Sequence, residues 1–290
     1  MIICKICKLQ QKGDIKLILR TEIIDTYLKG SNIEKFKNHW IYNTVGQGDS
    51  KDKNIFTMPS MEDTAIVRKI YIEAQNCLAD FKPLNSELWS CLFPEWKRIL
   101  DNIEVYFIVG LPEPNDATVI PDPSGKNVII LDLKCWVKYY KKTNITDLIK
   151  NLITHECCHI CIGKMFPQID SDYENGTYLE KLNSMIFNEG FAHLVSYNQN
   201  ICSVDWHEKK LTEVKEKSLS KLKSAVLEND TSKQNDYLYT AMFGQYYDKF
   251  GCMIGMLYIA DIYTAHGKNG LKNEFTLGYK TIISRILKYY

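Results

Sequence analysis

The feature that most restricts the fold is a pair of histidines, His155 and His159, within a stretch of helical apolar spacing, Ile145–Met165. Residues four positions apart project from the same side of an α-helix, so both imidazoles can reach one small ligand. Asn144 or Thr146 can cap the start of this helix. Its apolar stripe is formed by Leu148, Ile149, Leu152 and Ile153. We therefore expect one long helix that carries both histidines on a single face.

Glu156 completes the pattern His-Glu-x-x-His, which occurs once in the chain. Imidazole nitrogens are common ligands of Zn²⁺, and a glutamate directly after the first histidine lies beside the metal rather than on it. Bound zinc lowers the pKa of water to about 7, and a nearby carboxylate can take that proton and pass it to a leaving group. The pattern predicts a zinc site on His155 and His159, with Glu156 as the general base of a hydrolase.

A catalytic zinc site needs a third protein ligand, and Glu189 is the best candidate. It lies in a second segment whose apolar residues recur at helical spacing, so its helix can pack beside the first. The apolar neighbours that would make this packing are Met185, Ile186, Phe191 and Leu194. The alternative is that Glu189 is a surface residue, as charged residues on helices usually are.

The two segments together, His155–His159 and Asn188-Glu189-Gly190-Phe191-Ala192, resemble the gluzincin-type zinc metallopeptidases. In that group a glutamate on a following helix is the third zinc ligand. The second segment looks most like the E-G-x-A of bacterial zinc-dependent proteases. The resemblance implies a zincin-like α+β fold: a small mixed sheet, then the motif helix, then a mainly helical C-terminal half. It spans roughly residues 127–197, and the substrate-amine motif of the zinc aminopeptidases is absent.

The resemblance also gives a later segment, Gly251-Cys252-Met253-Ile254-Gly255, a counterpart in the family. The bacterial proteases often have G-Y-x-x-G there, and a tyrosine or histidine of gluzincins commonly stabilises the oxyanion. In this chain a cysteine stands where the tyrosine would fall. Residues that could replace it are Tyr246, Tyr247, Tyr258 and His266. We select Tyr247 as the candidate catalytic residue.

His193 follows Glu189 by four positions, where thermolysin-like gluzincins often carry an acid. It could hold a zinc ligand in place or be an ordinary polar helix residue. Cys157 and Cys158 fill the variable positions of the motif, and we expect them to pack rather than bind metal. The C-x-x-C formed by Cys4 and Cys7 leaves open a structural zinc or redox role.

The order of predicted elements indicates where the sheet ends and the helical half begins. Strands are predicted at 103–109, 117–120 and 127–133, and the last is our candidate for a sheet edge over the cleft. Later helices are predicted at 132–140, Ile145–Met165, 178–197, 208–227, 235–264 and 276–290. We expect residues 1–60 to form an N-terminal segment. Residues 61–290 would form one domain, with the sheet in 61–143 and the active-site and C-terminal helices in 144–290.

Charge and composition restrict the partners. With 36 basic and 35 acidic residues, the chain has a net charge of +1, which does not favour nucleic acid or an anionic membrane. No signal peptide or membrane span is predicted, so we expect a soluble, cytoplasmic protein. The leading hypothesis is a zinc-dependent peptidase that acts on a peptide or protein. The alternative is a non-catalytic or regulatory zincin-like metal-binding protein, and the oligomeric state is open.

Overall fold

A computed structural model describes residues 15–44, 54–113, 115–197 and 200–290. The Cys4–Cys7 pair lies outside these ranges. The described chain is α+β, with a four-stranded sheet and a mainly helical C-terminal half, and it is compatible with a zincin-like fold. The predicted fold class is therefore confirmed.

The sheet is small and mixed, as predicted. Its strands are β1 (Ile18–Arg20), β2 (Glu104–Ile108), β3 (Ala117–Pro121) and β4 (Asn127–Asp132). Their spatial order is β1-β2-β4-β3. The pairs β1–β2 and β2–β4 are parallel, whereas β3 and β4 run antiparallel, and Ile129 of β4 lies between Val105 and Val119.

The prediction that residues 127–133 form an edge strand was wrong. Strand β4 is an inner strand, because β2 and β3 pair with its two sides. Four consecutive residues, Val128 to Leu131, are fully buried, which is the pattern of a strand covered on both faces. The edge on this side is β3, which has three partly exposed residues and ends at the exposed Pro121. Closeness in sequence to the motif helix does not determine position in a sheet.

Twelve α-helices occur in the described residues. They are α1 (Glu22–Leu28), α2 (Trp40–Thr44), α3 (Thr64–Ala79), α4 (Ser86–Leu92), α5 (Trp96–Leu100), α6 (Ile145–Met165), α7 (Ile169–Asn175), α8 (Tyr178–Val195), α9 (Lys209–Val226), α10 (Thr231–Met242), α11 (Phe250–Thr276) and α12 (Ile282–Tyr289). Within this part of the chain, no helix combines the length and apolarity that crossing a bilayer requires.

Two predicted helices differ from the structure. The helix expected at 132–140 is replaced by a short 3₁₀ helix, Cys135–Tyr139, because the Asp132 carboxylate accepts hydrogen bonds from the N–H groups of Lys134 and Cys135. The helix expected at 235–264 is divided into α10 and α11. Between them Gly244 has a φ of 128°, a conformation that side chains disfavour, and the chain turns there.

Helix α6 carries the motif, and its bounds agree with the prediction. The side chain of Asn144 caps it by accepting hydrogen bonds from the N–H groups of Thr146 (3.0 Å) and Asp147 (3.4 Å). Helix α8 begins with a capping box of Thr177 and Glu180. Helix α6 contacts β3 and β4 and also packs against α8, while α8 packs most extensively against α11. These contacts bring the middle of α6 and the C-terminal half of α8 together.

Candidate metal centre

Two histidines of α6 and one glutamate of α8 converge. The distance from His155 Nε2 to Glu189 Oε2 is 3.4 Å, and that from His159 Nε2 to Glu189 Oε1 is 3.5 Å. The three candidate ligand atoms all lie within 4.8 Å of one another. Bonds of about 2.0–2.2 Å in a tetrahedral zinc site place neighbouring ligand atoms about 3.4 Å apart. The three side chains therefore fit the donor set and spacing of one zinc ion.

The three side chains are mostly buried but remain accessible. Their exposed fractions are 13% for His155, 16% for His159 and 14% for Glu189. Burial alone would raise the pKa of Glu189. The charges of His159, and the hydrogen bond and charge of His155, outweigh burial and hold that pKa well below its ordinary value. The carboxyl group is therefore ionised, as a metal ligand must be.

Asn188, next to Glu189, contacts the second histidine. Its Oδ1 lies 2.8 Å from Nδ1 of His159, and an amide oxygen only accepts, so Nδ1 of His159 donates. This tautomer leaves the lone pair of Nε2 free, and Nε2 is the atom that faces Glu189. No role was predicted for Asn188 from the sequence. The signal in the sequence that could have indicated this role is the position of Asn188 directly before Glu189.

His193 contacts the other histidine instead of lying at the surface. Nδ1 of His193 lies 3.1 Å from Nδ1 of His155, so one nitrogen donates and the other accepts. Burial, with the charge of His155 added to it, lowers the pKa of His193 well below its ordinary value. A neutral His193 can accept from Nδ1 of His155, which leaves Nε2 of His155 free to bind metal. The ring of Tyr246 stacks on His193, with centroids 5.6 Å apart and planes 12° apart.

Glu156 is a buried carboxyl group beside the convergent side chains. Its exposed fraction is 5%. Burial raises the pKa of Glu156 to about 7, with His159 lowering it and Glu189 raising it. Among the described residues, no hydrogen bond to its carboxyl group is present, so its oxygens are available to a water molecule. A carboxyl group of this kind can take up and release a proton near neutral pH.

A family profile described as "Putative zinc dependent peptidase (DUF5700)" matches residues 17–276. The chain belongs to this family. The match includes the whole sheet and helices α6 and α8, and the description supports a zinc-dependent peptidase at a coarse level. Searches of curated proteins and of solved structures found no match.

Three cysteines near the centre are buried. Cys157 and Cys158 are fully buried in the hydrophobic core, as expected for packing residues, and they do not belong to the group of candidate ligands formed by His155, His159 and Glu189. Cys252, at the position of the expected tyrosine, is also buried. Its Sγ lies 3.7 Å from Oε2 of Glu189 and 3.4 Å from the carbonyl oxygen of Ala241.

Tyr173 lies near Glu189, whereas Tyr247 contacts Tyr246, whose ring stacks on His193. Tyr247 lies in a 3₁₀ turn with Lys210 Nζ 4.2 Å from its ring centroid, and its ring contacts Tyr246. Tyr173, which was not predicted as a site residue from the sequence, lies on α7 and donates a hydrogen bond to Sδ of Met242 at 3.3 Å. Burial raises the pKa of Tyr173, and the nearby charge of Glu189 raises it further. Helix α7 was not predicted, so its tyrosine went unnoticed.

Proposed function

We propose that the protein is a gluzincin-type zinc peptidase that cleaves peptide bonds. His155, His159 and Glu189 would hold the zinc ion, and Glu156 would act as the general base. The observation that carries this proposal is the convergence of the two Nε2 atoms on Glu189, at 3.4 and 3.5 Å. Membership of a family described as zinc dependent peptidases supports it.

The donor set is suited to the chemistry of peptide hydrolysis. When bound by the two imidazoles and the carboxylate, zinc would supply a Lewis acid for water and the substrate carbonyl group. Glu156 takes a proton from the attacking water and delivers it to the departing amine. Asn188 and His193 hold the rings of His159 and His155 in the tautomers that present Nε2.

A hydroxyl donor would stabilise the negative charge that develops on the substrate carbonyl oxygen. Tyr247 is the candidate from the sequence, and Tyr173 is a second candidate from the structure. Proximity to Glu189 supports Tyr173. Its present acceptor, the thioether of Met242, is a weak one, so a substrate oxygen can replace it.

The decisive experiment measures zinc content and hydrolysis together. Protein purified without chelator should contain about one zinc per chain, and hydrolysis of an unstructured peptide should stop with a chelator and return with zinc. Glu156→Gln should keep the zinc and lose about 10²- to 10⁴-fold in kcat. The matched control is Glu216→Gln on the exposed face of α9. Zinc content near zero, or a Glu156→Gln variant as active as the wild type, would overturn the proposal.

A non-catalytic metal-binding protein is the second candidate. Cys252 in place of the expected tyrosine, in contact with Glu189, favours it. In that case the protein would bind zinc with the same three ligands, and zinc-dependent hydrolysis would be absent from a broad set of peptides. Chelator-sensitive hydrolysis that Glu156→Gln abolishes would exclude it.

A further inference from the structure

The face of α6 that carries the two histidines continues to a glycine. His155, His159 and Gly163 are spaced four residues apart, so they form one row along the helix. Gly163 lies about 6 Å beyond His159 along the helix axis. Outside α6, the described atom within 4 Å of a Cβ built on Gly163 is Oδ2 of Asp170, at 3.4 Å. This carboxylate therefore borders an open space one turn away from a proposed metal ligand.

The carboxyl group of Asp170 has no partner of its own. The residue is exposed near the start of α7, and in the described part of the chain it makes no hydrogen bond or ion pair. Partial burial raises the pKa of Asp170 and the nearby charge of His159 lowers it, so the two groups are close. Asp172 on the same helix differs, because it accepts a hydrogen bond from Tyr279 at 2.6 Å.

Helix α7 extends the same surface towards Glu189. Tyr173 and Glu174 follow Asp170 by three and four positions, so the three side chains project from one face. Tyr173 lies near both Glu189 and Glu174. Glu174 is exposed, and among the described residues its carboxyl group makes no hydrogen bond or ion pair. This face of α7 thus runs from His159 to Glu189 and carries two carboxylates that no cation neutralises.

Glu156 is an independent sign that a ligand belongs in this cleft. Its exposed fraction is 5%, and no hydrogen bond from the described residues reaches its carboxyl group. Buried polar side chains are nearly always paired in folded proteins, so one without a partner calls for a ligand. Glu156 and Asp170 both interact with His159. A ligand that occupies the space beside Glu156 therefore has Asp170 within its surroundings.

We propose that Asp170 selects substrates with a positively charged group next to the bond that is cleaved. This inference rests on the proposed peptidase function and adds a substrate class to it. Adjacent residues of an extended peptide are about 3.3–3.6 Å apart along the chain, so a cation beside a bond held at the centre can reach the carboxylate near Gly163. The cation is either the free α-ammonium group of an N-terminal residue or a lysine or arginine side chain. Charge complementarity of this kind mainly provides specificity.

Peptide binding to the zinc-loaded Glu156→Gln variant measures this selection without hydrolysis. The probes are unstructured peptides, labelled at the C-terminus, with lysine, norleucine or glutamate at one position and a free or an acetylated N-terminus. A suitable cation should tighten binding on the order of 10-fold, and the preference should shrink at high salt. If the α-ammonium group is the source, acetylation removes the preference. If the side chain is the source, the acetylated lysine peptide keeps it.

Substitutions in the same background test the residue. Asp170→Asn should bring the ratio of affinities close to one, Asp170→Glu should restore most of the preference, and Asp170→Lys should favour the glutamate peptide. Asp236→Asn, the same change at an exposed carboxylate of α10, should keep the original ratio. Circular dichroism verifies that each variant is folded. Equal affinity for all the peptides, no binding of any peptide, or a preference that Asp170→Asn retains would overturn the role of Asp170.

Hydrolysis by the wild type separates this selection from the catalysis. The ratio of kcat/KM between the cationic and neutral peptides should follow the ratio of their affinities. Charge-selective binding without any hydrolysis would contradict the proposed peptidase and support the role of Asp170. Zinc-dependent hydrolysis with no preference for a cation would do the reverse.

Discussion

Gly190 of α8 and Gly255 of α11 meet with their backbones in contact: a Cβ on Gly190 would lie 2.8 Å from the carbonyl carbon of Gly255. No other residue type permits this approach without a shift of one helix. Glu189 precedes the first glycine, and Cys252 stands three residues before the second. The crossing of these helices therefore sets the position of the glutamate relative to its neighbours.

Gly190→Ala should disturb both stability and metal binding. The added methyl group forces α8 and α11 apart, which should lower the free energy of unfolding by about 1–3 kcal/mol and displace Glu189. Chemical denaturation and zinc competition with a chelator measure the two effects. Gly163→Ala in α6 is the control, since its Cβ would lie 3.4 Å from a carboxylate oxygen of Asp170 and would not overlap backbone. Equal effects of the two substitutions would contradict the role of the crossing.

Asn188→Ala should weaken zinc binding without removing a ligand. The variant loses the acceptor that fixes the tautomer of His159, and such partners are usually worth about 10- to 100-fold in metal affinity. Asn188→Asp should restore most of the affinity, because a carboxylate also accepts from Nδ1. Chelator competition measures the affinity, and Asn235→Ala on the exposed side of α10 is the control. Unchanged affinity in Asn188→Ala would show that the 2.8 Å contact does not orient the ring.

Phenylalanine substitutions should separate the two tyrosine candidates. If Tyr173 donates to the developing oxyanion, Tyr173→Phe should lower kcat by about 10²- to 10³-fold, with KM and zinc content little changed. Tyr247→Phe should then have a small effect, because its ring contacts with Lys210 and Tyr246 are retained. The opposite result would support Tyr247. Comparable activity of both variants and the wild type would mean that neither hydroxyl acts in this way.

Asp132 should make stability depend on pH. It is fully buried and accepts hydrogen bonds from the N–H groups of Leu111 (2.7 Å), Lys134 (2.9 Å) and Cys135 (3.1 Å). Burial outweighs these bonds and raises the pKa of Asp132 to about 6. The folded state therefore binds this proton more tightly than the unfolded state. The resulting stabilisation is fully present below the ordinary pKa of about 4 and is lost as pH rises through about 6.

Asp132→Asn should remove that dependence. The difference in unfolding free energy between the wild type and Asp132→Asn should fall as pH rises from about 4.5 to 7.5. The fall should be about 2 kcal/mol, because part of the linkage energy of a shift of about two pKa units is already lost at pH 4.5. Urea denaturation at several pH values measures this difference. A difference that is constant across the range would contradict the raised pKa.

Local signals explain what could be predicted. The bounds of α6 follow from the cap at Asn144 and the apolar spacing after it, both of which act within a few residues. Proline disfavours a continuous helix, and the chain forms α4 and α5 on either side of Pro94. Pairing between distant strands was harder to predict from the sequence. The assignment of residues 127–133 as an edge strand was wrong, because strand order depends on partners far away in sequence.

By itself the sequence determined that His155 and His159 share one face of a helix, with Glu156 beside them, because helical geometry follows from spacing alone. Only the tertiary structure decided what meets that face. Glu189, Asn188 and His193 reach the two histidines through the packing of α8 on α6. Contacts between residues 29 to 38 positions apart depend on how helices cross, and crossing depends on shape complementarity along whole faces, which local spacing does not encode.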